Sequence, residues 1–331
     1  MLNLIKFRIL FILLLNSSSA LATSLDTNQL TSVEKCSHIL TLYPDAIESF
    51  DVQSNTLVFK NGHRSFCDDG QVYNLIQNLD YQKQMSQVDL SDILLQAYPD
   101  HYMAPITEKN YSPGRFRHDQ LLINTYLNIN ALSKTDLLKS AKDDLTIDDV
   151  KILARYLQME IVKVKFLGFD INMNQRNGAA EALARVGRRL EKDFPQGAKW
   201  LISNRNMSGG FNMRFISGTK RLSSHSWGIA VDFTLKNATP NLKWFDSYWK
   251  WIAVCAPNLK CSPARTDEGA KYRRDLSEEL LDVQIYPLNF DHFPPEIVQV
   301  FADEGYIWGG HWHHFDTMHF EYRPEFFTHQ K

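Results

Sequence analysis

Positive charge is in short supply in this chain. Its 331 residues hold 36 Lys and Arg against 38 Asp and Glu. Residues 1–22 carry two of those bases and no acid, so the remainder has 34 bases against 38 acids and a net charge of −4. That balance lacks the basic excess of a nucleic-acid or anionic-membrane binder. It also lacks the basic strip with which some proteins sit on anionic polymers. Long apolar runs are scarce too. The stretch 9–15 is too short to span a bilayer, and no second run approaches spanning length, so the mature protein is expected to be soluble, without stable membrane insertion. Internal repeats are absent, and cysteine is limited to four residues.

Residues 1–22 have the layout of an export signal. Lys6 and Arg8 form a basic start, the apolar run follows, and Ala20-Leu21-Ala22 is a small-x-small cleavage site. The alternative is an uncleaved membrane anchor, which the cleavage site disfavours. An exported chain, periplasmic or secreted, with an even number of cysteines is expected to form disulfides. Three connectivities are open, and the two local pairs, Cys36–Cys67 and Cys255–Cys261, are favoured. Reading Cys255 and Cys261 as zinc ligands is weaker, because five residues separate them and no second Cys or His pair stands nearby.

The 44% hydrophobic content is ample for a core. An N-terminal lobe is expected over 23–110, and a second domain over 111–331 with a polar insertion around 256–291. In the lobe, 55–60 alternates like a strand, Asn61-Gly62 signals a hairpin turn, and 63–66 returns. Residues 89–97 read as a helix, and Tyr111-Ser112-Pro113-Gly114 marks a break. Thr146 and Asp149 form a capping-box pattern ahead of Val150, Leu153, Ala154 and Leu157. Residues 177–194 give the clearest helix, with Leu183, Val186, Leu190 and Phe194 on one stripe and Arg185, Arg188, Arg189 and Lys192 read as a solvated face. Strands are expected at 198–203, 228–233 and 318–322. Further helices are expected at 242–254 and after Pro294-Pro295, ending at Gly305. The mixture suggests an α+β fold.

Two segments carry the chemistry. The first runs Ser223-Ser224-His225-Ser226-Trp227-Gly228-Ile229-Ala230-Val231-Asp232. The second, 308–321, holds four of the chain's 11 histidines, His311, His313, His314 and His319. Zinc takes imidazole nitrogen or carboxylate oxygen, and a catalytic site supplies three such ligands. Asp232 is an acid between Val231 and Phe233, costly in an apolar strand unless paired or metal-bound. His225 alone reads as an ordinary loop histidine; with Asp232 it becomes a ligand candidate. Asp316 and His319 are three apart, so on a flat strand they would face opposite ways. Asp316 is therefore expected in the turn before the strand, as a carboxylate able to move a proton near the metal. His311, His313 and His314 are rivals for the ligand role, preferred here as supporting or rim residues.

These segments resemble the family of zinc D-alanyl-D-alanine carboxypeptidases. That family also holds phage L-alanyl-D-glutamate endolysins and vancomycin-resistance D-Ala-D-Ala dipeptidases. The resemblance rests on Ser223-x-His225, Asp232 and Asp316-x-x-His319, and continues through Gly209-Gly210-Phe211-Asn212-Met213-Arg214 and Phe320-Glu321-Tyr322-Arg323-Pro324. It implies His225, Asp232 and His319 as zinc ligands, Asp316 as catalytic base, Arg214 as the group steadying the substrate carbonyl and oxyanion, and Ser223 as a substrate contact. It also implies a hedgehog/DD-peptidase-like fold, in which a small antiparallel sheet with flanking helices carries the site. The implied substrate is a peptidoglycan stem peptide, with D-Ala-D-Ala carboxypeptidase activity preferred over L-alanyl-D-glutamate endopeptidase activity. A non-catalytic wall-binding module on the same scaffold is the reading from another class. Retention of Asp316 beside all three ligands argues against it, since a binder needs no proton acceptor.

Overall fold

The computed structural model describes residues 31–68, 119–127, 147–216, 222–236, 247, 293–312 and 315–327. The leader at 1–22, the helices expected at 89–97 and 242–254 (Ser247 apart), the break at 111–114 and the stretch 256–291 lie outside the described residues. So do Thr146, Cys255, Cys261, His313 and His314.

Thr31 starts helix α1 (Ser32–Leu42) with a capping box, its backbone N–H donating to Glu34 Oε2 at 2.8 Å while its hydroxyl accepts from Glu34 N–H. Strands β1 (Ile47–Asp51), β2 (Thr56–Phe59) and β3 (Arg64–Phe66) follow as an antiparallel meander, with Asn61-Gly62 in the expected turn. A disulfide joins buried Cys36 on α1 to buried Cys67 just past β3, their Cα atoms 6.0 Å apart. Helices α2 (Asp119–Tyr126) and α3 (Ile147–Met159) lead to the hairpin of β4 (Ile161–Phe166) and β5 (Phe169–Asn174).

Helix α4 (Ala179–Asp193) buries Leu183, Val186 and Leu190, three of the four stripe residues read from the sequence; the fourth, Phe194, is the half-buried residue that ends the helix. Its basic face is only partly solvated. Arg185 Nε pairs with Glu304 and Arg189 pairs with Asp303, each at 2.6 Å, while Arg188 and Lys192 stay exposed. These pairs fasten α4 to the end of α6 (Pro295–Asp303).

The strand expected at 198–203 is instead part of a helix, α5 (Pro195–Asn204). Pro195 at the first helical position presets φ there. Ala198 and Leu201, three apart, turn inward while Ile202 is exposed. A run as short as Trp200-Leu201-Ile202 has no period of its own, so only packing distinguishes helix from strand. Extended chain begins just afterwards, in β6 (Arg205–Ser208).

The remaining strands are β7 (Ala230–Leu235), β8 (Tyr306–Trp308) and β9 (His319–Tyr322). They form an antiparallel sheet in the order β6-β7-β9-β8. Side chains alternate across it. Phe233 and Phe320 point to one face and pack with Phe301 and Phe293, ring centroids 4.2–6.2 Å apart. Asp232, His319 and Glu321 therefore share the other face. Among the described residues the elements are mixed helices and small antiparallel sheets, an α+β arrangement. No described helix is long and apolar enough to cross a membrane.

Candidate metal centre

His225 lies in a 3₁₀ turn, Ser224–Trp227, between β6 and β7. Ser223 caps that turn, its hydroxyl accepting from the His225 N–H at 3.4 Å. Gly228 ends it at φ +69°, where an added Cβ would lie 2.6 Å from Ile161 Cδ1 and 2.9 Å from Asn174 N. Residues 210–214 are laced onto the turn. Asn212 N–H donates to the His225 carbonyl at 3.0 Å, and Arg214 N–H donates to Ser226 Oγ at 2.9 Å. A Cβ on Gly210 would stand 2.0 Å from the Asn172 carbonyl oxygen, so glycine is needed for this approach. It brings the Gly210 carbonyl within 2.9 Å of His225 Nδ1.

The β7–β9 register sets Asp232 directly opposite His319. Asp232 Oδ1 lies 2.9 Å from His319 Nδ1, and its Oδ2 lies 3.1 Å from His225 Nε2. The two imidazole rings meet edge to face, centroids 5.1 Å apart. One ligand atom from each of the three residues falls within 4.8 Å of the others. Both histidines are buried and Asp232 is partly exposed.

Hydrogen bonding fixes which nitrogens face inward. A carbonyl can only accept, so His225 Nδ1 carries a proton toward Gly210, leaving Nε2 as a lone pair in the neutral ring. His319 Nε2 lies 3.2 Å from both Glu321 Oε2 and Ser224 Oγ while Nδ1 faces Asp232, so a neutral ring that keeps its proton on Nε2 presents Nδ1 inward as a lone pair. His225 Nε2 is buried with no hydrogen bond of acceptable geometry, even though a carboxylate oxygen stands 3.1 Å away. In the neutral tautomers, acceptor thus faces acceptor on both sides of Asp232. Lone pairs gathered in this way fit a cation. Ligand atoms around a tetrahedral zinc stand about 3.4 Å apart, within the 4.8 Å that bounds this trio.

Protons compete for the same lone pairs. Burial works against a charged His319, yet its hydrogen bonds to Asp232 and Glu321 raise it to about 10. Burial also pushes Asp232 upward, but the two histidines outweigh it and hold the carboxyl well below its usual range. His311 behaves oppositely, with burial alone lowering it to about 4. It stacks edge-on against Trp308, centroids 5.1 Å apart, and does not belong to the trio.

Asp316 sits where the spacing required, in the turn before β9, its N–H donating to the Gly309 carbonyl at 2.9 Å and its carbonyl accepting from His319 N–H at 3.2 Å. A single bridge pairs its backbone with Ser247. Arg214 is exposed, its carbonyl accepting from Ser223 N–H at 2.9 Å and from the Ser226 hydroxyl at 2.8 Å. Ser223 is buried as the turn's cap. Three participants escaped sequence reasoning, namely the Gly210 carbonyl, Ser224 and Glu321. Only the Glu321 contact had a legible signal, an acid two residues beyond a ligand candidate on one strand and hence on its face.

The described architecture is an α+β scaffold presenting a His/Asp/His cluster able to hold a metal ion. Residues 217–322 match the model of the D-alanyl-D-alanine carboxypeptidase family, the family that the two motif segments resemble. The matched stretch includes His225, Asp232, Asp316 and His319; the Gly209–Arg214 segment and the N-terminal elements lie outside it. No curated protein and no solved structure gives a significant match.

Proposed function

We propose that this protein is an exported zinc metallopeptidase that hydrolyses peptidoglycan stem peptides, with terminal D-Ala-D-Ala as its first substrate. The observation that carries the metal is the inward lone pair of His225 Nε2 set against Asp232 Oδ2 at 3.1 Å, with His319 Nδ1 converging from the other side. The match over 217–322 supports, at the level of the family, a zinc peptidase acting on peptidoglycan. The disulfide Cys36–Cys67 and the leader-like residues 1–22 support export to an oxidising compartment.

His225, Asp232 and His319 would hold the zinc, with the Gly210 carbonyl and Glu321 fixing the two rings through their outer nitrogens. When bound, the metal supplies Lewis-acid polarisation and a water of lowered pKa. Asp316 accepts the proton of the attacking water and returns it to the leaving amine. Arg214, on a backbone clamped to the ligand turn, offers a guanidinium to the developing oxyanion. The test is to incubate the purified mature chain with defined muropeptides and weigh the products. Loss of a single terminal alanine supports the carboxypeptidase; cleavage between L-Ala and D-Glu moves the protein to the endopeptidase reading. Intact substrate from a zinc-loaded chain overturns both.

A further inference from the structure

The outer nitrogen of His319 opens onto a line of buried charge that leaves the sheet and ends in the N-terminal elements. Glu321 is fully buried; its Oε2 faces His319 Nε2 at 3.2 Å and its Oε1 accepts from an Arg323 NH1 donor at 3.2 Å. Arg323, also buried, donates from Nε to Glu325 Oε1. Glu325 Oε2 in turn accepts from the Tyr43 hydroxyl at 2.5 Å, across 282 residues of sequence. Tyr43 is the C-terminal cap of α1, and α1 packs on the 3₁₀ turn Pro324–Phe326 that carries Glu325. A second contact secures the same docking, since Asp45 N–H donates to Asn177 Oδ1 at 3.1 Å and Asp45 Oδ2 accepts from Asn177 N–H at 2.9 Å.

We propose that Glu321, Arg323, Glu325 and Tyr43 are positioning residues for the metal ligand His319, so that the docked N-terminal segment is a working part of the metal centre. This rests on the zinc reading above. Glu321 can satisfy His319 and Arg323 together only because both its oxygens accept. Arg323 fixes the Glu321 plane, and Glu325 fixes the guanidinium. Tyr43 closes the line with a neutral donor, its phenol pushed well above the usual tyrosine range by burial and then by neighbouring Glu325. Without that hydroxyl, a buried carboxylate oxygen loses its partner and the line can rotate, taking the imidazole with it. Formal charge adds a second argument. With Asp232, and with His319 in the neutral form that binds a metal, the line holds three carboxylates and one guanidinium, an excess of two negative charges that a divalent cation cancels.

Zinc affinity of the full mature chain, measured by chelator competition, and the absorption bands of its cobalt-substituted form test this. Glu321→Gln replaces one acceptor with an NH₂ that must oppose a donor, and is expected to weaken zinc roughly 10–100-fold with altered cobalt bands. Tyr43→Phe, which removes one oxygen at the far end of the line, is expected to weaken zinc roughly several-fold. The double variant is expected to fall short of the product of the two, because both act through one line. Phe59→Leu, a core change in the same segment outside the line, is expected to lower stability and leave the zinc constant and cobalt bands alone. If Glu321→Gln does not fold, Tyr43→Phe and Glu325→Gln carry the test. Variants of the line that match the parent in affinity and spectrum overturn the inference while zinc binding by the parent stands. A parent that binds no zinc overturns the proposed function and this inference together.

Discussion

Asp232 and His319 are a direct cross-strand pair of β7 and β9, with Oδ1 and Nδ1 2.9 Å apart on the face away from the aromatic core. The strands' register alone brings this carboxylate and this imidazole together, and His225 needs only the adjoining turn to complete the trio. The division of labour among these side chains leads to separable outcomes.

His225→Ala and His319→Ala each delete one of the three proposed ligands, so elemental analysis should find the parent with about one zinc per chain and both variants largely without it. Asp232→Asn should also lose metal, because a neutral amide poorly replaces a ligating carboxylate. Unchanged zinc in all three would remove the assignment.

Asp316→Asn keeps size and much hydrogen bonding but cannot accept a proton at neutral pH. Zinc content and folding should survive, while turnover falls roughly 10²–10⁴-fold. Metal content and muropeptide hydrolysis should be measured on one preparation. Parent-like turnover, or loss of the metal, would sink the general-base role.

Gly210→Ala should be disproportionately harmful for one methyl group. Its Cβ would fall 2.0 Å from the Asn172 carbonyl oxygen, a backbone atom that cannot swing aside. Thermal unfolding should show a loss of at least about 2 kcal/mol. Zinc binding should weaken as well, since the Gly210 carbonyl orients His225. A variant with the parent's melting temperature and affinity would contradict this geometry.

His311 should make the metal-free protein acid-sensitive. Its pKa is about 4 in the folded chain, against the ordinary 6.5, because burial disfavours the charged ring. The unfolded chain therefore binds the proton first. This stability is present in full above pH 6.5 and is lost as pH falls toward 4, amounting to about 3 kcal/mol. His311→Phe should flatten that part of the stability curve in denaturant titrations. Parallel curves for variant and parent would reject the cause.

Peptide mapping without reduction should recover Cys36 linked to Cys67, and is expected to find Cys255 linked to Cys261. The Cys36–Cys67 bridge closes a sequence separation of 31, worth roughly 3–4 kcal/mol on chain-entropy grounds. Reduction should lower the melting temperature accordingly. Free thiols at positions 36 and 67 in the purified, unreduced chain would defeat the pairing.

The sequence by itself carried the information that is local. Alternation around Asn61-Gly62 yields the β2–β3 hairpin, the period of Leu183, Val186 and Leu190 yields α4, and an acid between Val231 and Phe233 announces a partner for Asp232. Spacing alone put Asp316 in a turn and His319 on a strand, because side chains on a strand alternate every residue. Other features depended on distance through space. Residues 198–203 form helix rather than strand because Ala198 and Leu201 find a core on one side, a fact their own short apolar run does not contain. Likewise, only the folded chain decides that Glu321 meets the outer nitrogen of His319, that a carbonyl at Gly210 turns His225, and that Tyr43 closes a line of charge 282 residues away. Local pattern sets which side chains a strand or turn can present. Which buried donor meets which buried acceptor is decided by packing, since an unmet buried polar group costs more than local propensity can supply.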